Sequence, residues 1–422
     1  MTPKGIIRTY LVVSGLFTLS ASLIWGINTL FLLDAGLNIF EVFVANAAFT
    51  AAMALFEVPT GVVADTRGRR LSFLLSEVTL LVGTLGYVGV AAIHGGVVLF
   101  SLAGVVLGLG YTFYSGAVEA WLVDALRATG YHEELDRVFA RGWVVSGAAT
   151  LVGTVGGGLL GTLDLSVPYL VRALLLAVAL AVGFGTMHDV GFTPRTVGWS
   201  GVAGEMAAIA RAGITFGWRR SSVRMLMLVS LVQMGFFSWA WYAWQPYFLS
   251  LLGRPDLVWV SGLIAALFSL ATIAGNTLVG RVVRPGSRRS TLLLAAAATL
   301  TTTMVLVGAV RLFWVAVPVF LLGAVVMGLA APVKQTYLHQ VIPSEQRATL
   351  VSFDSLVGNL GSVAGQTGLG YLSEQRSVGD AFVLGGLLTA LAIPAYSRLR
   401  SLRERADRVG ERPPEQEAVP IG

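Results

Sequence analysis

Glu57, Glu77, Glu119, Asp124, Arg172, Lys334 and Asp354 are ionisable side chains set inside long apolar stretches of a 422-residue chain. A charge at the centre of a bilayer costs roughly 3 kcal/mol, and less toward its faces, so such groups are either functional or paired. The chemistry they offer is proton binding and recognition of a charged solute. Covalent catalysis is not indicated. Cysteine is absent, which removes thiol nucleophiles, disulfides and thiolate-held metals. His94, His132, His188 and His339 are scattered among loops and span ends, so neither a metal nor a cofactor is expected, and the protein does not read as an enzyme. No G-x-x-x-x-G-K-[ST] loop occurs, which argues against ATP as the energy source. Glu77, Arg172 and Asp354 fall near expected span ends, where snorkelling or capping is the better reading.

The elements that position these groups follow from hydropathy. The chain is 55% hydrophobic and 12% charged, about half the charge of a typical soluble domain. A membrane span needs roughly 20 apolar residues. By that measure spans are predicted at 10–33, 39–63, 71–93, 97–122, 140–163 and 167–188, and again at 223–250, 257–280, 290–310, 312–338, 349–373 and 379–397. The first is too long for the core of a signal peptide and has no convincing cleavage site. The fold class is therefore an all-α membrane protein of twelve transmembrane helices. Of the 29 lysines and arginines, 24 fall in segments on the side of the N-terminus. Only Arg254, Arg311 and Arg376 lie in the opposite loops, which predicts an inner-membrane protein with both termini cytoplasmic. The net charge of +6 is explained by these loops, so no nucleic-acid partner is expected.

Two halves are expected. Residues 1–188 and 223–397 each hold six spans, joined by a cytoplasmic linker at 189–222 and followed by a cytoplasmic tail at 398–422. In the linker Met206, Ile209, Gly213 and Phe216 share a helical face with Arg211, Arg219 and Arg220 elsewhere, as in a helix lying on the inner leaflet. The tail, charged and then Pro/Glu-rich, reads as partly disordered. An internal repeat supports the division: Gly153, Gly156 and Gly158 recur as Gly365, Gly368 and Gly370. Upstream, "EELDR" ending at Arg137 matches "SEQR" ending at Arg347.

Between spans 2 and 3 stands "GVVADTRGRR", Gly61 to Arg70. Glu57, Gly61 and Asp65 are four residues apart and share a helix face. Gly61 permits close helix approach. Asp65 suits the N-terminus of another helix, where negative charge is favoured. The stretch resembles the G-x-x-x-D-x-x-G-R-[RK] signature of the major facilitator superfamily, in the loop where that family carries it. The resemblance extends to the span number, central linker and repeat. It implies the two-bundle major facilitator fold and a gate made of Gly61, Asp65, Gly68, Arg69 and Arg70, with Asp124 as the acidic partner of Arg69. The second-half loop "GRVVRPGSRR", Gly280 to Arg289, lacks the aspartate, so the lock is one-sided. "GTVGGG" in span 5 resembles the antiporter glycine motif through Gly153, Gly157 and Gly158, with Thr154 in place of proline. In span 4 Gly104 stands where the family often has an arginine.

The same resemblance has spans 1, 4, 7 and 10 line a central cavity. In span 4 Gly104, Gly108, Thr112, Ser115 and Glu119 share a stripe, and Asp124 lies roughly 140° away. Glu119 is the first candidate for proton coupling, below the hydroxyls of Thr112 and Ser115, and Glu57 the second. Span 7 carries a stripe of Gln233, Phe237, Trp241 and Trp244, either a wall for an amphipathic solute or an aromatic belt at the outer interface. Trp25 and Asn28 face the cavity from span 1, and Lys334 from span 10. The expected function is secondary active transport by alternating access. The leading reading is proton-coupled export of hydrophobic or amphipathic small molecules, since "FEVPTGVVADTRGRR" and "SGAVEAWLVDAL" look most like the bacterial multidrug, macrolide and tetracycline exporters. The alternative is uptake of a nutrient or organic anion by Lys334 and Arg172. A non-transporting sensor or membrane enzyme is the reading from another class. The expected partners are a small-molecule substrate, protons and the lipid bilayer, with the protein a monomer.

Overall fold

The structure, a computed structural model, describes residues 1–131, 134–194, 201–342 and 347–410. Its helices are α1 (Pro3–Ser22), α2 (Asn28–Asp34), α3 (Ile39–Arg67), α4 (Arg69–Ala92), α5 (Gly96–Tyr114), α6 (Ala117–Ala128), α7 (Leu135–Gly161), α8 (Val167–Thr186) and α9 (Val202–Ala212). After a π-helical turn at Gly213–Trp218 come α10 (Ser221–Leu252), α11 (Val258–Val282), α12 (Arg289–Ala309), α13 (Phe313–Val341), α14 (Arg347–Gln375), α15 (Val378–Thr389) and α16 (Ala392–Ser401). Each of the twelve predicted spans is helical. Eleven are long and apolar enough to cross a membrane, with α5 and α6 together forming one and α15 and α16 another. The twelfth, α14, has 29 residues but carries Asp354, Asn359 and Gln366 along its length.

Three predicted spans are broken, each for a local reason. Span 1 divides into α1 and α2 around Gly26, where an added Cβ would stand 3.2 Å from the Gly262 backbone. Span 4 divides at Ser115 and Gly116, the latter in a left-handed conformation (φ 70°) that glycine adopts at little cost. Span 12 divides four residues before Pro394, whose ring removes the helical hydrogen bond to the Ala390 carbonyl.

By contact the chain forms two compact units. The first comprises Met1–Met206, Trp241–Leu267 and Gln366–Gln375, and the second Ala207–Ala240, Phe268–Gly365 and Arg376–Gly422. Glycines bring the helices of each unit together backbone to backbone, as expected where lipid gives helices no hydrophobic drive to associate. In the first unit Gly153 and Gly157 of α7 press on Leu19 to Leu23 of α1, and Gly108 of α5 lies against the Phe49 carbonyl of α3. In the second unit Gly361 and Gly365 of α14 meet Leu231 and Gly235 of α10, and Gly275 and Gly328 join α11 to α13. The predicted repeat is thus visible in what the glycines touch: Gly153 and Gly365 each pack on the first span of their own half.

The segment after Arg398 is not a free tail as far as Gly410. Asp407 is 1% exposed and caps α12, accepting from the Ser290 N–H at 2.7 Å and its hydroxyl at 2.8 Å. Arg289 donates to the Ala406 and Arg408 carbonyls. Charge composition suggested disorder, but these charges have helix-end partners. Residues 411–422, Arg195, Glu133 of the "EELDR" match and Ser344–Gln346 of its counterpart lie outside the described residues. So does the side chain of Phe216; Gly213 of the linker stands against the Phe353 ring.

A Cβ at Gly157 would overlap the Leu23 carbonyl, whereas one at Gly147 on the same helix meets nothing within 4 Å. Gly157→Ala is expected to destabilise the protein by about 1–3 kcal/mol through overpacking. Gly147→Ala is expected to be neutral or stabilising by up to ~1 kcal/mol. Thermal unfolding of the detergent-solubilised variants measures both, and equal midpoints for the two would refute the packing account.

Candidate functional site

The break between α1 and α2 leaves main-chain groups without helical partners, and Gln245 of α10 supplies them. Its side-chain amide donates to the Trp25 carbonyl at 3.0 Å and accepts from the Thr29 N–H at 2.8 Å, fully buried. Pro246, one residue on, cannot donate to the Tyr242 carbonyl as a helical residue would. That carbonyl instead accepts the Thr29 hydroxyl at 2.8 Å. One proline and one glutamine thereby hold the broken span against α10. In the sequence the two simply follow Trp244, the last residue of the aromatic stripe.

Beside this junction the first unit holds a cavity of about 270 Å³, lined among others by Trp25, Asn28, Asn46, Tyr111, Arg172 and Trp241. Trp25 and Trp241 meet edge to face with ring centres 6.0 Å apart. Asn28 donates to Asn46 at 3.1 Å and accepts from the Tyr169 hydroxyl at 2.9 Å. Arg172, expected near a span end, is instead 1% exposed at the cavity wall. It donates to Thr84 at 3.1 Å and to the Tyr111 hydroxyl at 3.4 Å. Glu77, read in the same way, is also fully buried. Both lie five or six residues inside the predicted spans, and what buries them is the packing of α4 against α5 and α8.

A second cavity of about 330 Å³ in the same unit holds Glu119, with Tyr10, Ser14, Thr18, Tyr114, Ser115 and Ser146 in its wall. Between the two cavities Phe17 stacks on Tyr114 and meets Tyr111 edge-on at 5.7 Å. The expected stripe from Gly104 to Glu119 does not line one cavity. Gly104 and Gly108 face α3, at 3.1 Å and 2.6 Å for an added Cβ against the Ala45 and Phe49 carbonyls. Thr112 is buried, with its hydroxyl donating to the Leu109 carbonyl at 2.8 Å. The turn at Gly116 then resets the helix phase, so Glu119 faces its cavity from α6. Ser115 donates to Glu57 at 3.2 Å, which ties that carboxylate to the break.

At the loop Gly61–Arg70, Arg69 lies between two carboxylates, 2.5 Å from Asp65 and 3.9 Å from Asp124. Nothing stands within 4 Å of an added Cβ at Gly61. Gly68 has φ 112° and abuts the Asp189 carboxylate, so two independent constraints demand glycine there. Asp189 caps α4 by accepting the Arg70 N–H at 2.8 Å, and the Arg70 guanidinium donates to the Phe184 carbonyl at 2.8 Å. The sequence motif gave no sign of Asp189, because it lies 119 residues further along the chain. Asp189 after α8 and Asp407 after α16 do the same work for α4 and α12, a second trace of the repeat.

The remaining candidates are spread over both units. Trp244 is buried beside Phe248, with centroids 6.3 Å apart, rather than in the cavity with Trp241. In the second unit Phe237 packs on Phe268 and Gln233 is half-buried. Lys334 donates to Ser230 at 2.5 Å, and Ser230 donates to Asp354 at 2.7 Å, so a serine bridges the half-buried cation and the carboxylate. Of the antiporter-like glycines, Gly153 and Gly157 serve the α1 contact and Gly158 faces the Gly262 backbone. Thr154 bonds back to Thr150, and α7 runs through this point unbroken. In the loop after α10, the Arg254 hydrogen bond holds the Asp256 carboxyl below its usual range.

Apolar spans with internal repeats, buried charges and cavities within the first unit are features of a membrane transport protein. The chain belongs to the major facilitator superfamily: the model of that family matches residues 10–365 and, overlapping, 259–421. It is 22% identical over 386 residues to YxaM of Bacillus subtilis (strain 168), described as an uncharacterized MFS-type transporter, covering 89% of this chain and 91% of that one. Its fold is similar to that of the nucleoside transporter NupG, with TM-score 0.77 and 10% identity over 94% of this chain and 98% of that one. The POT family transporter PepTSo gives 0.72 and 14% over 96% and 99%, and the human organic anion transporter MFSD10 gives 0.61 and 18% over 94% and 100%.

Gln245→Ala strands the Trp25 carbonyl and the Thr29 amide in the interior. At about 1–3 kcal/mol for each unpaired group, a loss of about 2–6 kcal/mol is expected. Chemical denaturation in detergent reads this directly, and a loss below about 1 kcal/mol would show that water replaces the amide.

Proposed function

We propose that this protein is a secondary active transporter that works by alternating access and exports amphipathic small molecules in exchange for protons. The observation that carries the cargo class is the Trp25–Trp241 wall sharing one cavity with Asn28, Asn46 and Arg172. Such a lining suits an aromatic solute with a few polar groups. Export rests on the likeness of "FEVPTGVVADTRGRR" and "SGAVEAWLVDAL" to the bacterial drug exporters. Proton coupling rests on the embedded carboxylates and on the lack of a nucleotide-binding loop. A proton falling through 100 mV supplies about 2.3 kcal/mol, enough for a solute gradient of roughly fifty-fold.

Within this reading both termini are cytoplasmic, as the basic loops indicate, and the six-span halves are 1–188 and 223–397, joined through 189–222. The Asp65–Arg69–Asp124 cluster is the gate: a carboxylate on each side of one guanidinium is an arrangement that breaks and re-forms as helix ends slide. A second reading, uptake of an organic anion, is favoured by Arg172, the charged member of the cavity wall.

Everted membrane vesicles separate the two. Export predicts respiration-driven accumulation of ethidium with proton release, whereas uptake predicts accumulation of a carboxylated dye in right-side-out vesicles. Failure to move either would refute the cargo class. Trp241→Ala should weaken ethidium binding by up to about tenfold, the loss of one aromatic contact. Asp65→Asn should abolish turnover with binding retained, and loss of both together would count against a gating role.

A further inference from the structure

Glu77, near the middle of α4, has no exposed surface, and neither of its carboxylate oxygens has a hydrogen-bond partner. Its helix face, with Phe73, Leu80 and Thr84, is buried. Gly183 of α8 receives the Phe73 ring, and Gly110 of α5 receives Leu80. Neighbouring hydroxyls are turned elsewhere: Ser72 donates to the Phe113 carbonyl at 2.7 Å and Ser76 to the Gly110 carbonyl at 2.8 Å. The cation acting on Glu77 is Arg172 of α8, which directs its donors to Thr84 and Tyr111 and forms no ion pair with it. Tyr114 of α5 interacts with Glu77 and in turn with Tyr10 of α1 and Glu119 of α6, while Tyr111 of α5, Tyr87 of α4 and Tyr169 of α8 surround Arg172. Glu57 of α3 lies further off, at the Ser115 break.

An anion shut away from water and from every donor is among the costliest groups a protein can hold, whereas the neutral acid is tolerated. We propose that Glu77 is a proton-binding site of this transporter, and that its proton sets the net charge presented by Arg172 at the cavity wall. The proposal rests on the reading of that cavity as the solute site. With the proton bound, the Arg172 charge is uncompensated. With the proton released, Glu77 and Arg172 form a neutral pair. Glu77 and Thr84, the residue Arg172 holds, are two turns of α4 apart, about 10 Å. At that separation, through protein, one unit of charge changes the affinity of a singly charged solute about tenfold.

The sign depends on the solute. An anion binds more tightly when Glu77 is protonated, and so travels with the proton. A cation binds more tightly when Glu77 is ionised, and so exchanges with it. One carboxyl group thereby serves symport of an anion or antiport of a cation. The proton is taken from water and returned to water, and no other bond changes. Tyr114 interacts with Glu77 and also lines the Glu119 cavity, so it stands between the carboxyl and that cavity.

Infrared difference spectroscopy of the purified full-length protein tests the protonation directly. At neutral pH the wild type should show a protonated carboxyl band that shifts in Glu77→Asp and disappears in Glu77→Gln. Glu77→Gln exchanges a neutral acid for an isosteric neutral amide and should keep the wild-type melting temperature. Failure of that variant to fold would mean that the anion is required, and would overturn the proposal, as would an unchanged band. In binding assays ethidium affinity should rise about tenfold from mildly acidic to mildly alkaline pH in the wild type, and this dependence should vanish in Glu77→Gln. A dependence that survives the substitution also overturns the proposal. If the wild type binds neither ethidium nor a carboxylated dye, the cavity reading fails, and the infrared band still decides whether Glu77 carries a proton.

Discussion

Helices that share an apolar solvent gain little by pressing leucine against leucine, so what holds them together is close approach of their backbones. That constraint explains the placement of the glycines more than any wish for flexibility. Gly153 and Gly157 let α7 reach the α1 backbone, Gly361 and Gly365 let α14 reach α10, and Gly275 and Gly328 let α11 and α13 interlock. The same contact types recur in both halves of the chain, which is why a repeat too faint to stand on sequence alone is plain in the packing. A side chain at any of these positions would meet the backbone or a side chain of the neighbouring helix.

Close packing also makes broken helices affordable. Inside a membrane each unpaired main-chain group must find a partner within the protein. The α1–α2 break satisfies this through Gln245, and the carbonyl that Pro246 frees is taken by Thr29. At the loops Asp189 and Asp407 cap α4 and α12 in the same manner. The familiar loop signature therefore has two layers. Asp65, Arg69 and Asp124 form a charge cluster, and beneath it Gly68, Arg70 and Asp189 fix where α4 begins.

With the scaffold set, the first unit sorts its polar groups by depth. Glu119 has a cavity of its own, Arg172 reaches another through Tyr111, and the rings of Phe17, Tyr111 and Tyr114 stand between them. Glu77 belongs to neither cavity and has no hydrogen-bond partner. In the second unit the corresponding task of burying a cation is met differently, with Ser230 placed between Lys334 and Asp354. The two units thus differ in how they hold a cation away from water.

Much of the fold was legible in the sequence, because span length, hydropathy and the distribution of arginines are local properties that the bilayer itself imposes. The loop motif was legible too, since its residues are neighbours in the chain. Glu77 and Arg172 were read as span-end residues because they stand five or six positions from a span start, and composition does not say that α4, α5 and α8 pack together there. The stripe from Gly104 to Glu119 failed because helix phase was carried through Gly116, where a single left-handed residue resets it. Asp189, Gln245 and Asp407 could not have been found, since each acts on a residue more than a hundred positions away. The sequence by itself determined that the chain crosses the membrane many times and that charges lie within the spans. Which of those charges meet donors, which line a cavity and which are left alone was decided only in the folded bundle, because partners distant in the chain set the surroundings of a buried polar group.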